Sequence, residues 1–171
     1  MNNEKTECIM FGNKVQLDKC VTTSITVNGA ETVLQNKIEY LSVPLEETLS
    51  KKSFIAKKCK VAAFNLHNIR KIRNSLSQKA AKQIVFSLVI SHLDYVNAIL
   101  INLLAKRIYP FQRIQNQAAK FILMRNCSDS NTDALKELHW LPIKWRTVFK
   151  VLRMAFKCVN NQPRLPSRNF C

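Results

Sequence analysis

Arg146, Lys150, Arg153 and Lys157 follow one another at spacings of four, three and four in "IKWRTVFKVLRMAFK". On a helix that turns about 100° per residue, the four fall in one row. Beside them runs an apolar stripe of Trp145, Val148, Phe149, Leu152, Phe156 and Val159, all within about 60° of Trp145. Beyond Pro142 the chain holds no Asp or Glu, so no acid four residues away can neutralise the cations. Cations in file suit a phosphodiester backbone, which offers regularly spaced charge and no base identity. The competing reading is a solvated face whose acidic partners come from other helices. The stripe is expected to pack on the rest of the protein, with Trp140 and Trp145 as core residues.

A second basic face lies upstream. In "SKKSFIAKKCKVAAFNLHNIRKIR", Ile55, Cys59, Ala62, Leu66 and Ile69 step by 4, 3, 4 and 3. They occupy an arc of about 80°, the mark of a helix with one buried side. Lys57, Lys60 and Lys71 project from the other side, with Phe64 among them. Phe64 suits stacking on a base or contact with a partner domain. Arg113 and Lys120, seven apart on a later helix, are a weaker third set.

Enzyme chemistry finds no constellation. The chain has no GxSxG, no phosphate-binding glycine loop, no HExxH and no Asp-Asp pair. His67, His92 and His139 are scattered, and each reads as structural; His139 caps or packs at the turn before Pro142. The six cysteines form no CxxC pair and have no zinc-finger spacing to histidine, so they read as reduced thiols of an intracellular chain, in cytoplasm or nucleus. Glu46-Glu47 alone makes no metal site, and no cofactor is called for. "IVFSLVISHLDYVNAILINLLA" imitates a membrane span, but His92, Asp94, Asn97 and Asn102 interrupt it. A charge in mid-bilayer costs about 3 kcal/mol, so this run is expected as a core helix and no membrane partner is called.

The elements that must position these residues follow from period and punctuation. Residues 1–50 carry four Lys/Arg and seven Asp/Glu, whereas 51–171 carry 23 and four. The same boundary separates two periods. Before it, "KTECIMFG" reads as a strand ending at Gly12, "SITVNGAETV" as a hairpin about Asn28-Gly29, and "KIEYLSVPLEETLS" as a strand stopped by Pro44. After it come helices: one through residues 51–73, one capped by Ser77, one from about Pro110 to Met124, a short one over Asp133–Leu138, and a last one from Pro142. Ala80, Ala81, Ile84, Val85, Leu88 and Val89 are the apolar positions of the second. The expected class is α+β, mostly α. Residues 1–50 form a short β part, 51–161 a bundle of four or five helices, and 162–171 a frayed tail.

Several ordered segments resemble reverse transcriptases of non-LTR (LINE-type, jockey-like) retrotransposons: "LKELHWLPIKWRTVFKVLRMAFKCVN", "SHLDYVNAIL", "FQRIQNQAAKFIL", "AAFNLHNIRKIR", "KIEYLSVPLEETLS" and "NNEKTECIMFG". The resemblance implies that residues 1–50 are the last strands of a polymerase palm, with Tyr40, Leu41, Ser42 and Val43 in the place of the primer grip. Residues 51–171 would be the thumb and the helices after it. The family's catalytic aspartates lie upstream of the position matching Met1. Lys5 matches a lysine near the leaving pyrophosphate. Ser42 stands where the family has glycine, and Glu46 where it has aspartate. The resemblance therefore implies a non-catalytic piece of an RNA-directed DNA polymerase, for which Mg²⁺ would serve only the missing catalytic core. Its partners would be the RNA or DNA backbone of a template–primer duplex and the remainder of a polymerase. Two alternatives stand beside it: a helical protein-interaction module, and a translated retrotransposon relic without function.

Overall fold

Alternating β-branched residues around Asn28-Gly29 make the expected hairpin. In the computed structural model, which describes residues 6–27, 29–101 and 103–160, β1 (Ser24–Val27) pairs antiparallel with β2 (Ala30–Val33). Gly29 has φ +80°, a conformation that costs glycine nothing. A second antiparallel pair joins β3 (Lys37–Tyr40) to β4 (Val43–Glu46). The protein is α+β and mostly helical, and it divides into two compact units, residues 1–54 and 55–171. Residues 1–5 and the tail expected to fray lie outside the described residues.

Two expectations for the first unit need correcting. Residues 6–12 form no strand; Cys8 makes an isolated bridge with Leu34, and Asn13 then opens a short helix α1 (Lys14–Leu17). The Asn13 carboxamide accepts from the Gln16 N–H at 2.9 Å and Gln16 returns a bond to the Asn13 N–H at 3.4 Å, a capping box. Pro44, expected to end a strand, sits inside β4 opposite Glu39. Tyr40 and Val43 close a two-residue turn, so the N–H at position 44 would point away from β3 and proline forfeits no ladder bond. Among the strand residues only Val43 and Pro44 are buried. Two separate two-stranded sheets have little surface to hide, and this unit is thinly packed.

The second unit holds the core. α2 (Lys52–Arg70) buries Ile55, Ala62, Leu66 and Ile69 and half-buries Cys59, as its period requires. Burial pushes the Cys59 thiol up to about 11. Ser77 caps α3 (Gln78–Val85) by accepting from the Ala80 N–H at 3.2 Å. The long apolar run does not continue as one helix. It passes through a π turn (Phe86–Ile90), a short helix α4 (Ser91–Asp94) and a 3-10 turn (Asn97–Leu100). The wider π turn shifts the phase, so Val89, Ile90 and Leu93 are buried while Leu88 is turned out. Among the described residues no helix is long and apolar enough to cross a membrane.

α5 (Ala105–Leu123) is the central helix, packed by α3, α6 (Asn131–Glu137) and α7 (Ile143–Val159). It buries Phe111, Ala118, Ala119 and Ile122 completely. It begins at Ala105, so Pro110 lies within the helix and not at its first position. The donor lost there would have met the carbonyl of Lys106, an exposed residue that solvent reaches. With so few glycines, other residues take the left-handed positions that end helices. Met124 (φ +54°) and His139 (φ +55°) do so after α5 and α6. After α6, Trp140 N–H reaches Leu135 O at 2.8 Å and His139 N–H reaches Lys136 O at 2.9 Å, with Leu135 and Trp140 both buried.

Candidate nucleic-acid interface

α7 lies on the bundle with the opposite face from the one its apolar period suggests. Ile143 and Thr147 are its buried residues. Trp145 is 55% exposed, Leu152 63% and Phe156 59%, and Phe149 and Val159 are exposed as well. The cation row is the half-buried side. Arg146 grips Asp94 with Nε at 3.1 Å from Oδ1 and Nη2 against Oδ2, and Lys150 Nζ donates to the Asp94 carbonyl at 3.0 Å. Asn97 Nδ2 adds a bond to Asp94 Oδ1 at 3.2 Å. The expected packing of the stripe, with Trp145 as core, is therefore wrong. An acid 52 residues upstream holds the first cation of the row and its carbonyl holds the second, and Asp94 ends α4 where the backbone turns through Tyr95 into the left-handed Val96 (φ +50°). Trp140, by contrast, is core as expected, at 4% exposure.

A polar ladder fixes the start of α7. Gln112 Oε1 accepts from the Ile143 N–H at 2.9 Å, which satisfies an amide that the helix itself leaves unpaired. Gln112 Nε2 donates to Gln115 Oε1 at 2.9 Å and to Asn116 Oδ1 at 2.8 Å, and the fully buried Gln115 donates to Leu141 O at 2.9 Å. Arg73 is structural as well: Nε and Nη2 bind the Phe121 and Ile122 carbonyls at 2.8 and 2.7 Å, closing the C-terminus of α5. Lys120 Nζ holds the Cys127 carbonyl at 2.7 Å, so this expected contact residue ties a loop. Arg113 is exposed on α5.

The α2 face is arranged as its sequence indicates. Lys57, Lys60 and Lys71 are exposed, and Phe64 among them is 63% exposed. Lys71 stands in the turn that ends α2, with its N–H on Asn68 O at 3.3 Å. At 100° per residue Lys57, Lys60 and Phe64 fall within an arc of about 60° over about 10 Å of α2, and Lys71 follows in the turn just past its last residue. Cations around an outward aromatic ring can meet phosphates while the ring offers a stacking surface. Arg153 and Lys157, half-exposed toward the end of α7, are the remaining members of the other row.

Tyr40, Leu41, Ser42 and Val43 form the tip of the β3–β4 hairpin. Leu41 (φ +48°) and Ser42 (φ +60°) are both left-handed, as a two-residue turn of the I′ kind demands. Glycine is the easiest occupant of such a position. Val43 is buried, whereas Tyr40 and Leu41 are exposed.

Sequence reasoning missed Asp94, Gln112, Gln115 and Arg73. Asp94 carried a usable signal, being one of four acids after residue 50 and set in an apolar run. Among the described residues no cluster of three or more His, Cys, Asp or Glu could hold a metal ion. No protein-family model, curated protein or solved structure matches the chain.

Proposed function

We propose that the helical unit binds RNA or DNA backbones without reading sequence, and that it does so chiefly through the outer face of α2. The observation that carries this reading is the outward cluster of Lys57, Lys60 and Lys71 around the exposed Phe64. The charge balance supports it. Residues 51–171 hold 23 Lys/Arg against Asp94, Asp129, Asp133 and Glu137, and two of those acids are already paired, with Arg146 and with Arg125. Such a surplus favours a polyanion over an ordinary protein surface. Arg153 and Lys157 extend the binding set; Arg146 and Lys150 serve the fold.

This chemistry agrees with the resemblance of the chain's motifs to LINE-type reverse transcriptases, in which the part after the palm holds the template–primer duplex. On that reading residues 1–50 are a palm remnant bearing the primer-grip-like hairpin tip, and the chain is a non-catalytic portion of a polymerase. No two aspartates are adjacent anywhere in it. The test is fluorescence anisotropy on random-sequence RNA–DNA hybrids across a salt series, beside a primer-extension assay with Mg²⁺ and nucleotides. Binding should be indifferent to sequence, and no primer should lengthen. With Lys57, Lys60 and Lys71 all changed to Gln, the slope of log K against log salt should become shallower by about two to three units, near 0.9 for each lost phosphate contact. A folded triple variant with the parent's slope, or a lengthened primer, would overturn the corresponding part of the reading.

A further inference from the structure

We propose that the outward stripe of α7 is a docking seam for an acidic amphipathic helix of another protein. Trp145, Phe149, Leu152, Phe156 and Val159 are spaced 4, 3, 4 and 3. That is the alternation of core positions in a two-helix coiled coil. All five are exposed, and the side of α7 that meets the bundle is the other one, carrying Ile143 and Thr147. The seam covers about 21 Å, or two heptads.

The edges of the seam name the partner's chemistry. Arg146 and Arg153 border it at one edge, with Lys150 and Lys157 just behind them. α7 carries five Lys/Arg and no Asp or Glu, so this edge of the seam is positive as a whole and matches an incoming carboxylate. Val148 and Ala155 form the other edge, small enough to let a helix approach closely. The partner helix thus has an apolar stripe of the same period and Glu or Asp along the matching edge.

A second copy of the chain is a poor occupant. α7 has no acid, and the four acids after residue 50 face a large excess of cations. A nucleic-acid duplex would leave the apolar seam uncovered. An in-plane lipid helix turns its whole polar face to water, whereas Ile143 and Thr147 hold the first turns of α7's opposite face on the bundle.

The test uses the full chain and a synthetic three-heptad peptide with Leu at the core positions and Glu at the flanks. Scrambled peptide of the same composition, anionic phosphatidylserine vesicles and sedimentation of the chain alone are the comparisons. Trp145 is the reporter, because the only other tryptophan, Trp140, is buried. The amphipathic peptide should shift Trp145 emission to the blue and saturate, and the scrambled one should not. Exchanging both Leu152 and Phe156 for Gln keeps helix propensity and should weaken peptide binding at least about tenfold. Circular dichroism checks that this variant is folded. Equal binding of both peptides would reduce the effect to charge. Unchanged binding by the folded variant would remove the seam. A blue shift with vesicles and none with peptide would assign the stripe to a lipid surface. A dimer of the parent that this variant abolishes would assign it to self-association. Each of these four results overturns the proposal.

Discussion

α2 and α7 are both basic amphipathic helices with exposed aromatic residues, and they lie on the bundle in opposite senses. α2 turns its apolar steps inward and presents Lys57, Lys60 and Lys71 around Phe64. α7 turns Arg146 and Lys150 inward to Asp94 and leaves its apolar stripe outside. Hydrophobic period identifies a helix and divides it into faces. It decides which face is buried only when the polar face has no partner elsewhere in the chain. On α7 two further groups override it. Gln112 fixes the first amide, and Asp94 grips the first two cations, while Ile143 and Thr147 supply the only fully buried contacts.

The sharpest way to break this contrast is by tryptophan. Trp140→Ala should cost about 3–5 kcal/mol, as deletion of a buried large side chain does. Trp145→Ala should cost less than about 1 kcal/mol, since an exposed side chain forfeits little packing. Denaturant midpoints measure both, and equal losses would put the stripe back in the core. Next in size is the Asp94 tie. Asp94→Ala removes the acceptor of two arginine bonds at a half-buried site and should cost about 2–3 kcal/mol. Combining it with Arg146→Met should give much less than the sum of the separate losses, because the two residues act through one contact. Changing the exposed Lys60 and Lys71 to Gln should leave the midpoint where it is, which separates binding cations from structural ones.

Smaller effects sharpen the comparison between the two units. Ser42→Gly in the first and Met124→Gly in the second each relieve a left-handed non-glycine residue. After the entropy that glycine adds to the unfolded chain, each should stabilise its own unit by about 0.5–1 kcal/mol. Hydrogen exchange on the hairpin and on α5 should register them independently. The smallest effect is chemical. With its thiol pushed up to about 11 by burial, Cys59 stays protonated at pH 8, so iodoacetamide followed by mass spectrometry should find it alkylated more slowly than the exposed Cys127 and Cys158. Its rate should rise as pH climbs toward that value. Early alkylation of Cys59 at pH 8 would mean that α2 does not hold its buried face.

Much of this architecture was legible, and what was missed has a common cause. The hairpin about Asn28-Gly29, the Ser77 cap, the buried face of α2 and the change from strand to helix near residue 50 rest on local rules, and local rules read well. The π turn that throws Leu88 outward leaves no local signature in "IVFSLVIS". Pro44 and Pro110 look like element boundaries in the sequence, yet each sits inside an element where its missing donor faces away from a partner or toward solvent. The α2 cluster was visible because its lysines and Phe64 lie within 15 residues of one another. The role of Arg146 and Lys150 was not, because the residue that claims them is more than 50 positions away. Periodicity supplied both faces of α7 correctly and assigned them the wrong way round.

Acrylamide quenching of single-tryptophan chains tests that inversion most directly. Trp140→Phe leaves Trp145 alone, and Trp145→Phe leaves Trp140 alone. The Trp140 indole N–H has no acceptor among the described residues, so phenylalanine there forfeits no hydrogen bond. Trp145 should be quenched readily, with the red emission of a hydrated indole, and Trp140 should be shielded and blue. If Trp145 is as shielded as Trp140 in a folded monomer, the stripe is buried and the cations of α7 face solvent. The division of labour between the two helices would then be contradicted.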